Sequence, residues 1–177
     1  SAVRYPRDNV SGMFAGPACP PFALGKARAL IEHAEPDAAI LAFGTCAIDA
    51  CNAVKSLGDD ARVSVYDARF AKPVDHALVR SLLSRGIPVI TIEDHSRVGG
   101  FGAAVLESAA SQGLDASSVT IMGLPDSWIY QDSREAQLAE AGLDVDAIAR
   151  KLREVLSSNG GEVVVPRHGA VAAGRKA

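Results

Sequence analysis

The sequence predicts an α/β domain, a mostly parallel sheet between two layers of helices, over residues 25–158. Three observations predict it. Short apolar segments alternate with segments of helical spacing along that stretch. The apolar segments are rich in Val, Ile and Ala and lack polar alternation, as strands do when a parallel sheet is covered on both faces. Glycines stand just past the ends of several helical segments, where they close a helix without steric cost.

The elements follow in order. "GKARALIEH" (Gly25–His33) reads as a short strand leading into the domain. "AAILAFG" (Ala38–Gly44) is a continuous apolar strand ending in Gly, and "CAIDACNAVKSL" (Cys46–Leu57) has helical spacing. "RVSVYDA" (Arg62–Ala68) is a strand, and "VDHALVRSLLSRG" (Val74–Gly86) a helix closed by Gly. "PVITIED" (Pro88–Asp94) is a strand, and "FGAAVLESAASQG" (Phe101–Gly113) again a helix closed by Gly. "SVTIMGL" (Ser118–Leu124) is the last strand. Two helices then start at good N-caps, Ser133 and Asp144.

The flanks differ. "SAVRYPR" (Ser1–Arg7) looks like an interior strand, so the chain is expected to come from a longer protein. Residues 8–24 are rich in Gly and Pro without a sustained period, which is linker composition. Residues 159–177 have no lasting period and are expected to be mobile, with "EVVV" able to pair as an edge strand.

Composition narrows the function. A net charge of −3 leaves no basic field for a nucleic-acid backbone, so nucleic-acid binding is set aside. No apolar run approaches the length of a membrane span, and no secretory signal is visible. Three cysteines, Cys19, Cys46 and Cys51, are too sparse for a disulfide framework and fit a reducing, cytoplasmic setting. Cys46 and Cys51 do not share a helix face, and idle thiols are preferred to metal ligands.

Four stretches are candidate sites. In "EDHSRVGGFGAAV" (Glu93–Val105), an acidic pair and His95 end a strand, and Gly99, Gly100 and Gly102 lead into a helix N-terminus able to hold an anion. The spacing is neither a dinucleotide fingerprint nor a P-loop, so a structural turn is preferred. In "DARFAKPVD" (Asp67–Asp75), Arg69 and Lys72 can form an anion site, or an ion-paired loop with Asp75 as helix cap; the second is preferred. Trp128 and Tyr130 in "GLPDSWIYQDS" either contact another domain or subunit or fold back on the core, with the two readings balanced. In "RYPR", Arg4 and Arg7 point to different sides of an extended chain, and guanidinium forks suit a phosphate.

Taken together, "AVRYPR", "GKA", "AILAFGT", "DARFAKPVD", "TIEDHSRVGGFGAAVLE", "GLPD" and "QLAEAGLDVDAI" occur in the order seen at the C-terminal end of the 1-deoxy-D-xylulose-5-phosphate synthases. The chain resembles that family from about Ala2 to Leu156. Transketolase and the pyruvate dehydrogenase β-subunit share the C-terminal fold and resemble it less. The resemblance implies a five-stranded, mostly parallel sheet with one antiparallel strand near residue 28, the transketolase C-terminal fold. It implies an enzyme that condenses pyruvate with D-glyceraldehyde 3-phosphate, releasing CO2, in isoprenoid precursor synthesis. Thiamine diphosphate and Mg2+ would be bound by catalytic domains that the chain lacks, and the enzyme would be a homodimer. Ser1–Arg7 would be the last strand of the pyrimidine-binding domain. Arg7 resembles the family's ligand to the substrate phosphate, with Arg4 a second candidate. The family usually has Gly where this chain has Asp8, and a second Glu where it has Asp94. No catalytic, cofactor-binding or metal-binding residue carries over. The segment itself is expected to support the dimer and to be inactive alone.

Overall fold

The structure is a computed structural model and describes residues 21–158. Arg4 and Arg7, the strand expected at Ser1–Arg7, nearly all of the linker at 8–24 and the tail at 159–177 lie outside the described residues.

Five strands form one sheet: β1 (Arg28–Ile31), β2 (Ala38–Phe43), β3 (Val63–Asp67), β4 (Val89–Ser96) and β5 (Val119–Leu124). Their spatial order is β1-β3-β2-β4-β5. β2 pairs in parallel with β3 and β4, and β4 with β5, while β1 runs antiparallel to β3. The antiparallel strand near residue 28 is therefore present. Five helices accompany the sheet: α1 (Cys46–Ser56), α2 (His76–Leu83), α3 (Phe101–Ser111), α4 (Arg134–Glu140) and α5 (Val145–Ser158).

Period-two alternation sends the side chains of each strand to two cores. Ile40 and Ala42 of β2, with Ile90 and Ile92 of β4, pack with α1 and α5; Leu152 and Ile148 of α5 are fully buried there. Ala39 and Leu41, with Val89, pack against Val79 and Leu82 of α2 and Phe101 and Val105 of α3. This is why the strands read as continuous apolar runs. Each fully buried aliphatic contributes about 1.5–3 kcal/mol.

The helix boundaries follow local chemistry. Asp75 accepts the Leu78 N–H at 3.1 Å, Ser133 the Ala136 N–H at 3.2 Å and Asp144 the Ala147 N–H at 3.0 Å. At the end of α2, Gly86 has φ +68°, which lets the Ile87 N–H reach back to the Leu82 carbonyl at 3.1 Å. α3 and α4 close in the same manner, with Leu114 donating to Ala109 and Leu143 to Leu138. One boundary departs from expectation. β4 does not end at Asp94 but continues to Ser96, because its last residues stay alongside β5, with Ser96 opposite Leu124.

Gly102 marks the closest approach of α3 to the sheet. A Cβ there would lie 2.6 Å from Ile121 Cγ2 and 2.7 Å from Thr91 Oγ1. Gly102→Ala should therefore lower the free energy of unfolding by about 1–3 kcal/mol, measured by chemical denaturation. Wild-type stability in that variant would contradict this packing.

Candidate functional site

Open parallel sheets bind ligands beyond the carboxyl ends of their strands, where neighbouring strands lead their connections apart. In this sheet that place is the crevice between β2 and β4: from β2 the chain leaves towards β3, and from β4 towards β5. Glu93 and Asp94 lie at the carboxyl end of β4, and alternation turns them to opposite faces. They form two separate sites.

Glu93 faces α3 and is 1% exposed. Its Oε2 accepts the Phe101 N–H at 2.7 Å and its Oε1 the Gly102 N–H at 2.9 Å. The residue before α3 is Gly100, which has no side chain to cap the helix, so a carboxylate eight residues before Phe101 does so. Gly100 supplies the space: a Cβ there would lie 2.2 Å from Glu93 Oε2 and from the Ser96 carbonyl oxygen. The glycine-rich turn is thus shaped around an internal anion. Two of the N–H groups that an outside anion would need in this turn, those of Phe101 and Gly102, are taken by Glu93, and the structural reading of "EDHSRVGGFGAAV" agrees with the geometry. His95 is exposed beside it.

Asp94 faces the crevice. Arg134, from the start of α4, donates from Nη2 to Asp94 Oδ2 at 2.8 Å and to Thr45 Oγ1 at 2.9 Å. One guanidinium thereby joins the loop after β2 to the end of β4 and closes the switch point. The thiol of Cys46 lies beneath. Burial first, then the Asp94 and Asp49 carboxylates, push its pKa up to about 12, with Arg134 partly opposing them. A cleft of about 550 Å³ borders the closure, lined in part by Leu124, Ile129, Gln131 and Asp132. Reading the sequence missed Arg134. Its partners are 40 and 89 residues away, and no local pattern marks that pairing.

The loop after β3 carries Arg69. Asp75 caps α2 as expected and also accepts from the Ala27 N–H at 3.1 Å and Lys26 Nζ at 3.2 Å. Burial pushes its carboxyl up, but the Leu78 and Ala27 N–H groups and Lys26 outweigh this and hold it below the usual range. Lys72 is exposed and Arg69 is not: its side chain is 10% exposed. Arg69 has φ +58°, a left-handed conformation that costs a non-glycine residue about 1 kcal/mol. Its guanidinium lies 4.6 Å from the Phe22 ring centroid. Its Nε is 3.7 Å from Asp67 Oδ2 and makes no hydrogen bond among the described residues. Trp128 and Tyr130 are 91% and 79% exposed, so they are not folded back on the core, and Val98 is exposed as well.

Comparison with known proteins decides the family. Residues 27–148 match the family described as transketolase, C-terminal domain. The chain belongs to that family. A 1-deoxy-D-xylulose-5-phosphate synthase from Rhodopirellula baltica is 37% identical over 92% of this chain and 25% of its own length. One from Thermus thermophilus is 42% identical over 85% of this chain and 23% of its own. This transketolase C-terminal chain thus spans about a quarter of the length of the curated relatives it matches. Among solved structures, a split-gene transketolase described as an inactive β4 tetramer is 28% identical, with a TM-score of 0.63 over 77% of this chain and 43% of its own. Transketolase from Leishmania mexicana, 17% identical with a TM-score of 0.56 over 78% of this chain and 19% of its own, shares the fold.

The described residues do not fit thiamine diphosphate or Mg2+. The α3 N-terminus presents a carboxylate where a diphosphate would need donors, and no three His, Cys, Asp or Glu side chains gather as metal ligands among the described residues. No helix among them is long and apolar enough to cross a membrane.

Two outcomes test this geometry. Glu93→Gln places an amide NH2 against one of two backbone donors and should cost about 2 kcal/mol of stability. Hydrogen exchange at the Phe101 and Gly102 amides should accelerate; unchanged exchange there would remove the capping role. The Cys46 thiol ionises more readily unfolded than folded. Its contribution is therefore constant below its ordinary value of 9.0 and is lost as pH rises from there towards about 12. Stability should fall in that window, and Cys46→Ala should flatten the fall by roughly 1 kcal/mol per pH unit, read from denaturation curves.

Proposed function

We propose that this chain is the C-terminal region of a 1-deoxy-D-xylulose-5-phosphate synthase, which joins pyruvate to D-glyceraldehyde 3-phosphate with loss of CO2. The observation that carries the reading is the identity of 36–43% to such synthases over most of the chain. The complete enzyme works as a cytoplasmic homodimer. Thiamine diphosphate, which turns the pyruvate carbonyl carbon into a nucleophile, and Mg2+ are held by its other domains. This segment performs no chemistry. It presents a rigid rim, with Trp128 and Tyr130 outermost, against which the catalytic domains are seated.

Its contribution to the substrate is electrostatic. Arg7 and Arg4 hold the phosphate of glyceraldehyde 3-phosphate. Arg69 joins them. The support for this is a largely buried guanidinium just past the carboxyl end of β3, kept in a costly backbone conformation, with its Nε 3.7 Å from Asp67 Oδ2 and without a hydrogen bond among the described residues. Strain of that kind collects at ligand-binding positions. Phe22, fifteen residues after Arg7 in the chain, covers the same guanidinium.

A chimera tests both statements. The chain is substituted for the matching segment of the Thermus thermophilus relative and assayed with pyruvate and glyceraldehyde 3-phosphate. The chimera should form the product, and the 177-residue chain alone should not. In the chimera, Arg69→Ala should raise KM for glyceraldehyde 3-phosphate about tenfold or more and leave KM for pyruvate nearly unchanged. Turnover by the isolated chain, or a folded chimera without turnover, would overturn the synthase reading. An unchanged KM would remove Arg69 alone.

A further inference from the structure

A second polar assembly lies on the outer surface between α2 and α3. His76 Nδ1 is 2.7 Å from Ser108 Oγ. Gln112 Nε2 donates to Ser108 Oγ at 3.1 Å and to the Ser108 carbonyl oxygen, also at 3.1 Å. Gln112 Oε1 accepts from Arg80 Nε at 2.8 Å. Both ends of the Gln112 amide are therefore assigned by their partners. The amide ties the arginine of one helix to the serine and, through it, to the histidine. Ser108 is buried and Gln112 half-buried, while His76 and Arg80 are exposed.

This network orders two side chains whose remaining donors have no partner among the described residues. His76 and Arg80 are four apart on α2 and share a face. Ser108 Oγ accepts from Gln112 Nε2, which leaves its hydroxyl proton to donate; in the tautomer where it donates to Nδ1, the imidazole carries its proton on Nε2. The Arg80 Nη groups are left to donate as a fork. Both flank an open groove of about 450 Å³, lined by His76, Ala77, Arg80, Ser81 and Gln112, without a carboxylate. The neighbouring Asp75 carboxylate is turned away to Leu78, Ala27 and Lys26. A cation and further donors at the edge of a groove whose wall is mainly apolar, with no acid in its lining, suit the phosphoryl group of an organic molecule.

We propose that this groove binds the phosphoryl group of a small molecule, held by Arg80, His76 Nε2 and the Ser81 hydroxyl. The Ser108–Gln112 pair acts as the positioning element. The site is separate from Arg69 and the carboxyl rim and does not rest on the synthase reading.

The test is an NMR titration of the 177-residue chain, labelled with 15N, with inorganic phosphate at constant ionic strength. The Arg80 Nε–H and His76 ring signals should shift and saturate. Arg80→Gln should weaken binding about tenfold, the loss of a charge-assisted contact. Ser108→Ala should weaken it a few-fold, since a groove that attracts anions by charge alone is indifferent to that hydroxyl. Shifts that do not saturate, or that chloride reproduces, would overturn the proposal. Full affinity in Arg80→Gln would do the same, and acetate acting as strongly as phosphate would overturn the phosphoryl assignment.

Discussion

The carboxylate of Glu93 against the first turn of α3 is the interaction on which the carboxyl rim depends. A charged group with 1% exposure persists only when it is compensated. Here the compensation is a pair of backbone N–H groups and the positive end of a helix, at 2.7 and 2.9 Å. That one contact determines much around it. It sets where α3 begins. It requires glycine at position 100, since any Cβ would overlap the carboxylate. It brings Gly102 onto Thr91 and Ile121 of the sheet and seats Phe101 against Phe43, with ring centroids 5.4 Å apart.

The same pairing of anions with internal donors explains why the usual binding place of an open α/β sheet is closed. One candidate anion site holds the protein's own carboxylate. The switch-point crevice holds the protein's own guanidinium, with Arg134 spanning Thr45 and Asp94. A rim filled in this way is stiff and has little left with which to grip a diphosphate. What it offers outward includes three large exposed apolar side chains, Trp128, Tyr130 and Val98. Large apolar side chains exposed on the loops of an ordered rim suit contact with another protein surface. That division fits a domain that supports catalysis carried out elsewhere in a longer protein.

Much of this was legible in the residues. The alternation of apolar runs with helical segments predicted each of the four parallel strands, and Asp75, Ser133 and Asp144 predicted three helix starts, because capping is local chemistry. The antiparallel β1 was harder. Its four residues are half-exposed to exposed and carry no strong period, so its direction came from the family resemblance. The end of β4 was read two residues short, since its last pairing depends on β5 some thirty residues away. The acidic pair Glu93–Asp94 is adjacent in sequence, and only the pleat of the strand separates its members.

The sequence by itself determined the fold class, the element order, the caps and the family, because each rests on short-range periodicity or on motifs contiguous along the chain. The tertiary structure alone decided the rest. It decided that Glu93 satisfies a helix, that Arg134 seals the crevice, that Arg69 is largely buried beside Asp67 with no hydrogen bond to its Nε among the described residues, and that Gln112 links two helices. All four depend on which side chains meet across the fold, and such meetings are decided by packing of distant segments, which no local pattern encodes.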